Sequence, residues 1–147
     1  MEAIYHSILP IIQIVTCADA IVSPYPVSDI NIKAYPAGGG ALGLHYDTNG
    51  ITVLLSLLDN TEAPLRAKIP RSHPSRKQPW LEDEEIYASA GDLLIMQGRK
   101  ILHDSAPTRT QKKYSVIYNY YESHDVYRHH DFDQFVYYGK KPEKLEG

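Results

Sequence analysis

Apolar residues recur at helical spacing near the start of the chain. Ile4, Ile8, Ile11, Ile12 and Val15 fall on one stripe, which predicts a helix over residues 2–16 with that stripe facing a core. Pro10 lies inside the run and predicts a kink or a split. After Ala20 the period changes. Ser23-Pro24-Tyr25-Pro26 reads as a turn or extended connector. Ile30, Ile32 and Ala34 alternate with Asn31, Lys33 and Tyr35, as in a strand. Residues 36–40 form a glycine-rich loop, 42–46 a second strand and 51–58 a third. The third run is almost wholly apolar, so it belongs between two layers. Residues 60–84 are polar and hold Pro64, Pro70, Pro74 and Pro79; they read as a long loop with at most one short strand near 65–69. Further strands are predicted at 85–88, 92–97, 101–103 and 113–121. On the last of these, Tyr114, Val116, Tyr118 and Tyr120 share the face opposite Lys113. Seven or eight short strands after one helix indicate a mainly β fold, a double-sheet jelly roll (a cupin-like double-stranded β-helix).

Composition narrows the class. A chain of 147 residues fits one domain. That domain divides into a helix (2–16), a jelly-roll core (about 27–121) and a polar, aromatic tail (122–147). The single Cys17 excludes a disulfide framework and reads as a small buried apolar residue. The net charge of -3 and the lack of a sustained basic stretch argue against a nucleic-acid partner. His6, Pro10, Gln13 and Asp19 interrupt the apolar stretch 4–22, which argues against a membrane span. The chain opens Met1-Glu2 without a basic start, so a cytoplasmic location is expected; Ala18-Asp19-Ala20 is the one likeness to a cleavage site.

His45-Tyr46-Asp47 is the first candidate for chemistry. Residues two apart on a strand point to the same side, so an imidazole and a carboxylate are presented together. His103, at the end of a later strand, offers a third ligand. Two histidines and one carboxylate make the facial triad of non-heme Fe(II) oxygenases, although nitrogen and oxygen donors accept other divalent metals as well. Taken alone, H-x-D also fits a pair that merely hydrogen-bonds in a loop.

Three segments in order supply context: IKAYPAGGGALGLHYDTNGITVLLSL (32–57), GDLLIMQGRKILH (91–103) and KYSVIYNY (113–120). They resemble the Fe(II)/2-oxoglutarate-dependent dioxygenase superfamily, and within it the isopenicillin-N-synthase-like, plant-type branch. The likeness lies in a Tyr-Pro segment, an H-x-D followed by Thr-x-Gly, a Gly-Asp apolar strand, a Gly-Arg turn with a distal His, and a final strand of the (R/K)-x-S type. The resemblance implies that His45, Asp47 and His103 bind Fe(II). It also implies that Lys113 and Ser115 hold the distal carboxylate of 2-oxoglutarate. Lys113 stands ten residues after His103, where most of that branch has arginine. Arginine grips a carboxylate in two places and lysine acts as a point charge. Arg109, near Pro107, is the rival cation. Tyr35 matches the Tyr-Pro tyrosine that can meet the same carboxylate; a partly buried strand tyrosine is its plainer reading. Because Asp47 supplies the carboxylate, oxygenation rather than halogenation is implied, with O2 as oxidant, succinate and CO2 as by-products and hydroxylation as the default. A small-molecule substrate, amino-acid-like or carboxylate-bearing, is implied. A cupin-like metal-binding protein without turnover, and an Fe(II) oxidase that uses O2 without 2-oxoglutarate, are the other readings.

Other groups carry weaker signals. His124, His129, His130 and Asp131 read as a solvated tail or subunit contact sooner than a second metal site. Arg66, Lys68, Arg71, His73, Arg76 and Lys77 make the long loop basic, either as a solvated loop or as a lid over an acidic substrate. Members of the superfamily usually add helices around the jelly roll. A short chain is therefore expected to be a near-minimal core whose pocket a second subunit of a homodimer could complete.

Overall fold

A computed structural model describes residues 2–22 and 29–125. Helix α1 (Glu2–Thr16) runs unbroken through Pro10. Nine strands follow: β1 (Ala20–Val22), β2 (Ile30–Tyr35), β3 (Leu42–His45), β4 (Ile51–Ser56), β5 (Leu65–Arg71), β6 (Trp80–Ile86), β7 (Leu93–Met96), β8 (Leu102–Ser105) and β9 (Lys113–Glu122). They form two antiparallel sheets. One has the order β1-β9-β4-β7, with β2 also on β9; the other has the order β3-β8-β5-β6. This is the mainly β, two-sheet arrangement that the alternation predicts. As its unbroken apolar run demands, β4 sits between β9 and β7.

The first sheet has two unlike faces. Outward, Ile51, Val53, Val116, Tyr118 and Tyr120 pack under α1 with Tyr5 and Ile12. The helix is oriented differently from the predicted stripe. Tyr5 and Ile12 are buried and Ile8 and Leu9 half-buried, while Ile4, Ile11 and Val15 are exposed. Tyr5 fixes the rotation. Its ring lies against Tyr118 and Tyr120, and its hydroxyl donates to the Asn119 carbonyl at 2.8 Å. Tyr120 returns a hydrogen bond to the Tyr5 carbonyl at 2.6 Å, so no buried hydroxyl of this pair lacks an acceptor. Cys17 is exposed, contrary to the expectation. It has φ of 50° at the helix end, a left-handed terminating position that turns its side chain out of the core.

The stretch expected to be mostly loop is largely a hairpin. β5 extends to Arg71, and β6 occupies Trp80–Ile86, including the acidic run Glu82-Asp83-Glu84 that carries no apolar signal. Cross-strand charge supplies the pairing logic. Lys68 meets Asp83 at 2.5 Å, and Arg71 meets Glu82 at 2.8 Å and Glu84 at 3.0 Å. Arg66, Lys68 and Arg71 are therefore committed to carboxylates on the strand surface. None of the six basic residues of the suggested lid lines the central cavity. No helix among the described residues is long and apolar enough to cross a membrane.

Candidate metal centre

The inward faces of the two sheets do not close on each other. They enclose a cavity of about 300 Å³, within the range of small-molecule sites. β3 and β8 pair so that His45 stands opposite His103. Opposed residues of an antiparallel pair share a face, and both imidazoles enter the cavity. Their ring centroids are 4.4 Å apart. Just beyond β3, Asp47 completes the group: its Oδ1 is 3.3 Å from His45 Nε2 and 3.7 Å from His103 Nε2.

The ring orientation suits metal binding. His45 Nδ1 lies 2.6 Å from the Gly43 carbonyl, and His103 Nδ1 lies 2.8 Å from the Ile101 carbonyl. A carbonyl only accepts, so in the neutral rings each Nδ1 carries the hydrogen and each Nε2 presents a lone pair; only the protonated ring donates from Nε2 to Asp47. Ligands at right angles on a metal with bonds of about 2.1 Å stand about 3 Å apart. The spacings here are close to that, and the donor set of two nitrogens and one oxygen, without thiolate, fits a divalent iron-type ion.

Asp47 is held independently of the histidines. Its backbone N–H donates to the Gly98 carbonyl at 3.0 Å, and Thr52 donates to Oδ2 at 2.5 Å. That leaves Oδ1 for the histidine side. Gly98 permits this approach: a Cβ there would overlap the Asp47 carboxylate and the Thr52 hydroxyl. Burial works against the Asp47 charge. The hydrogen bonds from His45 and Thr52 and the imidazole charges outweigh it, and the pKa falls below the usual carboxylate value. His45 is pushed up, chiefly by its hydrogen bond to Asp47.

Farther along the cavity, Lys113 Nζ donates to the Ser105 hydroxyl at 2.9 Å and to the Ala63 carbonyl at 3.0 Å. Tyr35, opposite Lys113 on β2, also hydrogen-bonds Ser105, and burial raises its pKa against that bond. Ser115 lines the same cavity. Arg109 does not. It is exposed in a turn whose backbone N–H groups, from residues 109 to 111, are gathered by the Glu62 carboxylate. Pattern reading overlooked Lys33, Thr52, Gly98 and Ser105. Lys33 lies two residues before Tyr35 and faces the cavity with it, so the same alternation could have found it.

A second cluster, Glu122, His124 and Asp125, also brings three ligand-type atoms within 4.8 Å of one another. Its chemistry is already used. Asp125 is ion-paired with Arg99 through one oxygen and accepts the Glu122 N–H with the other at 2.8 Å. His129, His130 and Asp131 lie outside the described residues.

No protein-family model matches the chain, and no curated protein matches it. The likeness is to solved structures. ThoJ, a non-heme monooxygenase solved with nickel, superposes with a TM-score of 0.57 at 18% identity, over 78% of this chain and 49% of that one. Its apo form gives 0.55 at 17%, over 78% and 51%. AviO1 from Streptomyces viridochromogenes Tue57 gives 0.64 at 12%, over 83% and 60%. The chain thus spans about half to three-fifths of those proteins' length. What they share with it is the fold, one used by a non-heme monooxygenase.

Proposed function

We propose that this chain is a cytoplasmic non-heme Fe(II)- and 2-oxoglutarate-dependent oxygenase of the isopenicillin-N-synthase-like, plant-type branch, acting on a small molecule. The observation that carries this reading is the position of one half-buried cation relative to the triad. Ser105, which receives the Lys113 hydrogen bond, is two residues from His103 on the same strand. The backbones of those two residues are about 7 Å apart along the strand, which puts the metal ligands and the ammonium at neighbouring points of one cavity wall, as a short diacid bound at both ends requires. A metal module without turnover has no need of such a cation. His45, Asp47 and His103 would hold the iron, which when bound supplies oxygen activation coupled to decarboxylation of 2-oxoglutarate. Lys113, with Ser115, Tyr35 and Ser105 around it, would fix the distal carboxylate and so orient the keto acid. The balance is 2-oxoglutarate, O2 and R–H giving succinate, CO2 and R–OH. The substrate is read as amino-acid-like or carboxylate-bearing, and Lys33 adds a second basic side chain to the cavity wall.

The test is anaerobic. Fe(II) and 2-oxoglutarate added to the apoprotein should give a visible charge-transfer band. Absence of that band, together with no succinate when candidate acids and O2 are supplied, would overturn the reading.

A further inference from the structure

A second hollow of about 260 Å³ opens between β7 and the β5–β6 hairpin. Gln97 is the single polar residue among those lining it; the rest are aliphatic. Ile69, Ile86 and Ile101 at this slot are only half-buried, so the two sheets leave apolar surface open to water instead of closing on it. Such exposure is unfavourable, and a ligand that covered it would gain affinity.

The slot adjoins the metal cavity. Leu65, Ile86, Leu94 and Met96 line both. Two strand registers locate its inner end. Met96 stands opposite Thr52, whose hydroxyl holds Asp47. Ala67 stands opposite His103. The apolar wall therefore reaches two of the three triad residues, and its Leu65 stands opposite Ser105 at the Lys113 end. We propose that this slot is a substrate subsite for an alkyl or aryl arm, and that the substrate carries a hydrophobic group next to the bond being oxidised. The substrate role rests on the oxygenase reading above; the subsite itself does not. Its position beside the cavity and the lack of any charged residue in its lining favour a small apolar group as the occupant. A cavity of about 150 Å³ lined by aliphatic residues already binds benzene or xenon, so the slot is large enough for such a group.

Benzene is the probe. Titrated into the protein, it should bind saturably and shift the methyl resonances of Ile69 and Ile101, which line the slot and not the metal cavity. With Mn(II) bound, the benzene protons should relax faster than in the metal-free protein. Ile69→Trp changes a residue that lines the slot and not the metal cavity. It should weaken benzene binding at least about tenfold while Mn(II) affinity stays unchanged. If Ile69→Trp does not fold, the wild-type shifts and relaxation decide alone. The proposal fails if wild type shows no saturable binding, if the shifts fall elsewhere, if bound Mn(II) leaves the relaxation unaltered, or if a folded Ile69→Trp binds benzene normally. Failure of Mn(II) to bind would instead remove the metal reading and leave the benzene isotherm standing.

Discussion

On one face of β9, Val116, Tyr118 and Tyr120 are sealed beneath α1 in the hydrophobic core. On the other, Lys113, Ser115, Ile117 and Asn119 line the cavity between the sheets. Burial does not separate the two sets: Ser115 and Asn119 are 5% exposed and Val116 is 2% exposed. What differs is the company. Outside, aromatic rings and aliphatic chains fill the space, and the Tyr5 and Tyr120 hydroxyls are spent on backbone carbonyls. Inside, polar groups from both sheets converge on a hollow. The usual sandwich puts its apolar faces inward; here much of the apolar packing has moved to the helix side. The region between the sheets is freed for chemistry because stability is supplied elsewhere.

That division can be broken most sharply from the inside. His45→Ala and His103→Ala should each abolish stoichiometric binding of Fe(II), read by metal analysis after desalting, while cooperative unfolding persists. Retained iron in either variant would refute that ligand assignment. The outer face should behave in the opposite sense. Tyr120→Ala removes a fully buried ring and its hydrogen bond to Tyr5, and should cost about 3–5 kcal/mol in urea unfolding. The fraction that remains folded should bind metal as wild type does. A large loss of metal affinity in folded Tyr120→Ala would show that the two layers are not separable.

The inner face is also where the sequence was most readable. His45 and Asp47 sit two apart, which predicts a shared side; Asp47 lies just past the end of β3 and is brought to His45 by its contacts with Gly98 and Thr52. The pairing of His103 with them depends on β3 and β8 lying side by side, which no local pattern states; its place at a strand end makes it a candidate, and the resemblance implies its role as ligand. The segment 80–84 was opaque for a different reason. Leu81-Glu82-Asp83-Glu84 has the composition of a loop, and its strand character comes from cations eleven to fifteen residues earlier. The face of α1 was misread because five isoleucine and valine positions outweighed Tyr5 in the pattern. In the fold, one ring with a hydroxyl to satisfy decided the rotation. The apolar slot is assembled from β5, β6, β7 and Ile101, so no one stretch announces it.

A smaller effect sharpens the comparison further. Burial lowers the Lys113 pKa below the ordinary lysine value of 10.5, and the charge of Asp104 opposes the shift only in part. The unfolded chain therefore binds this proton more tightly than the folded one. Below the folded pKa the cost of burying the ammonium is present in full. As pH rises from that value towards 10.5 the cost is relieved, and stability from this group should increase. Ligand binding should run the other way, since a carboxylate needs the ammonium and loses it over the same range. Lys113→Met should flatten the stability slope and weaken 2-oxoglutarate binding to the Mn(II)-loaded protein about 10–100-fold; Lys113→Arg should recover part of it. Calorimetric titrations at pH 7 and pH 10, paired with urea unfolding at the same values, test both signs at once. Equal 2-oxoglutarate affinity in wild type and Lys113→Met would mean that this half-buried cation serves the fold, as the outer face of β9 does, and that the co-substrate seat lies elsewhere.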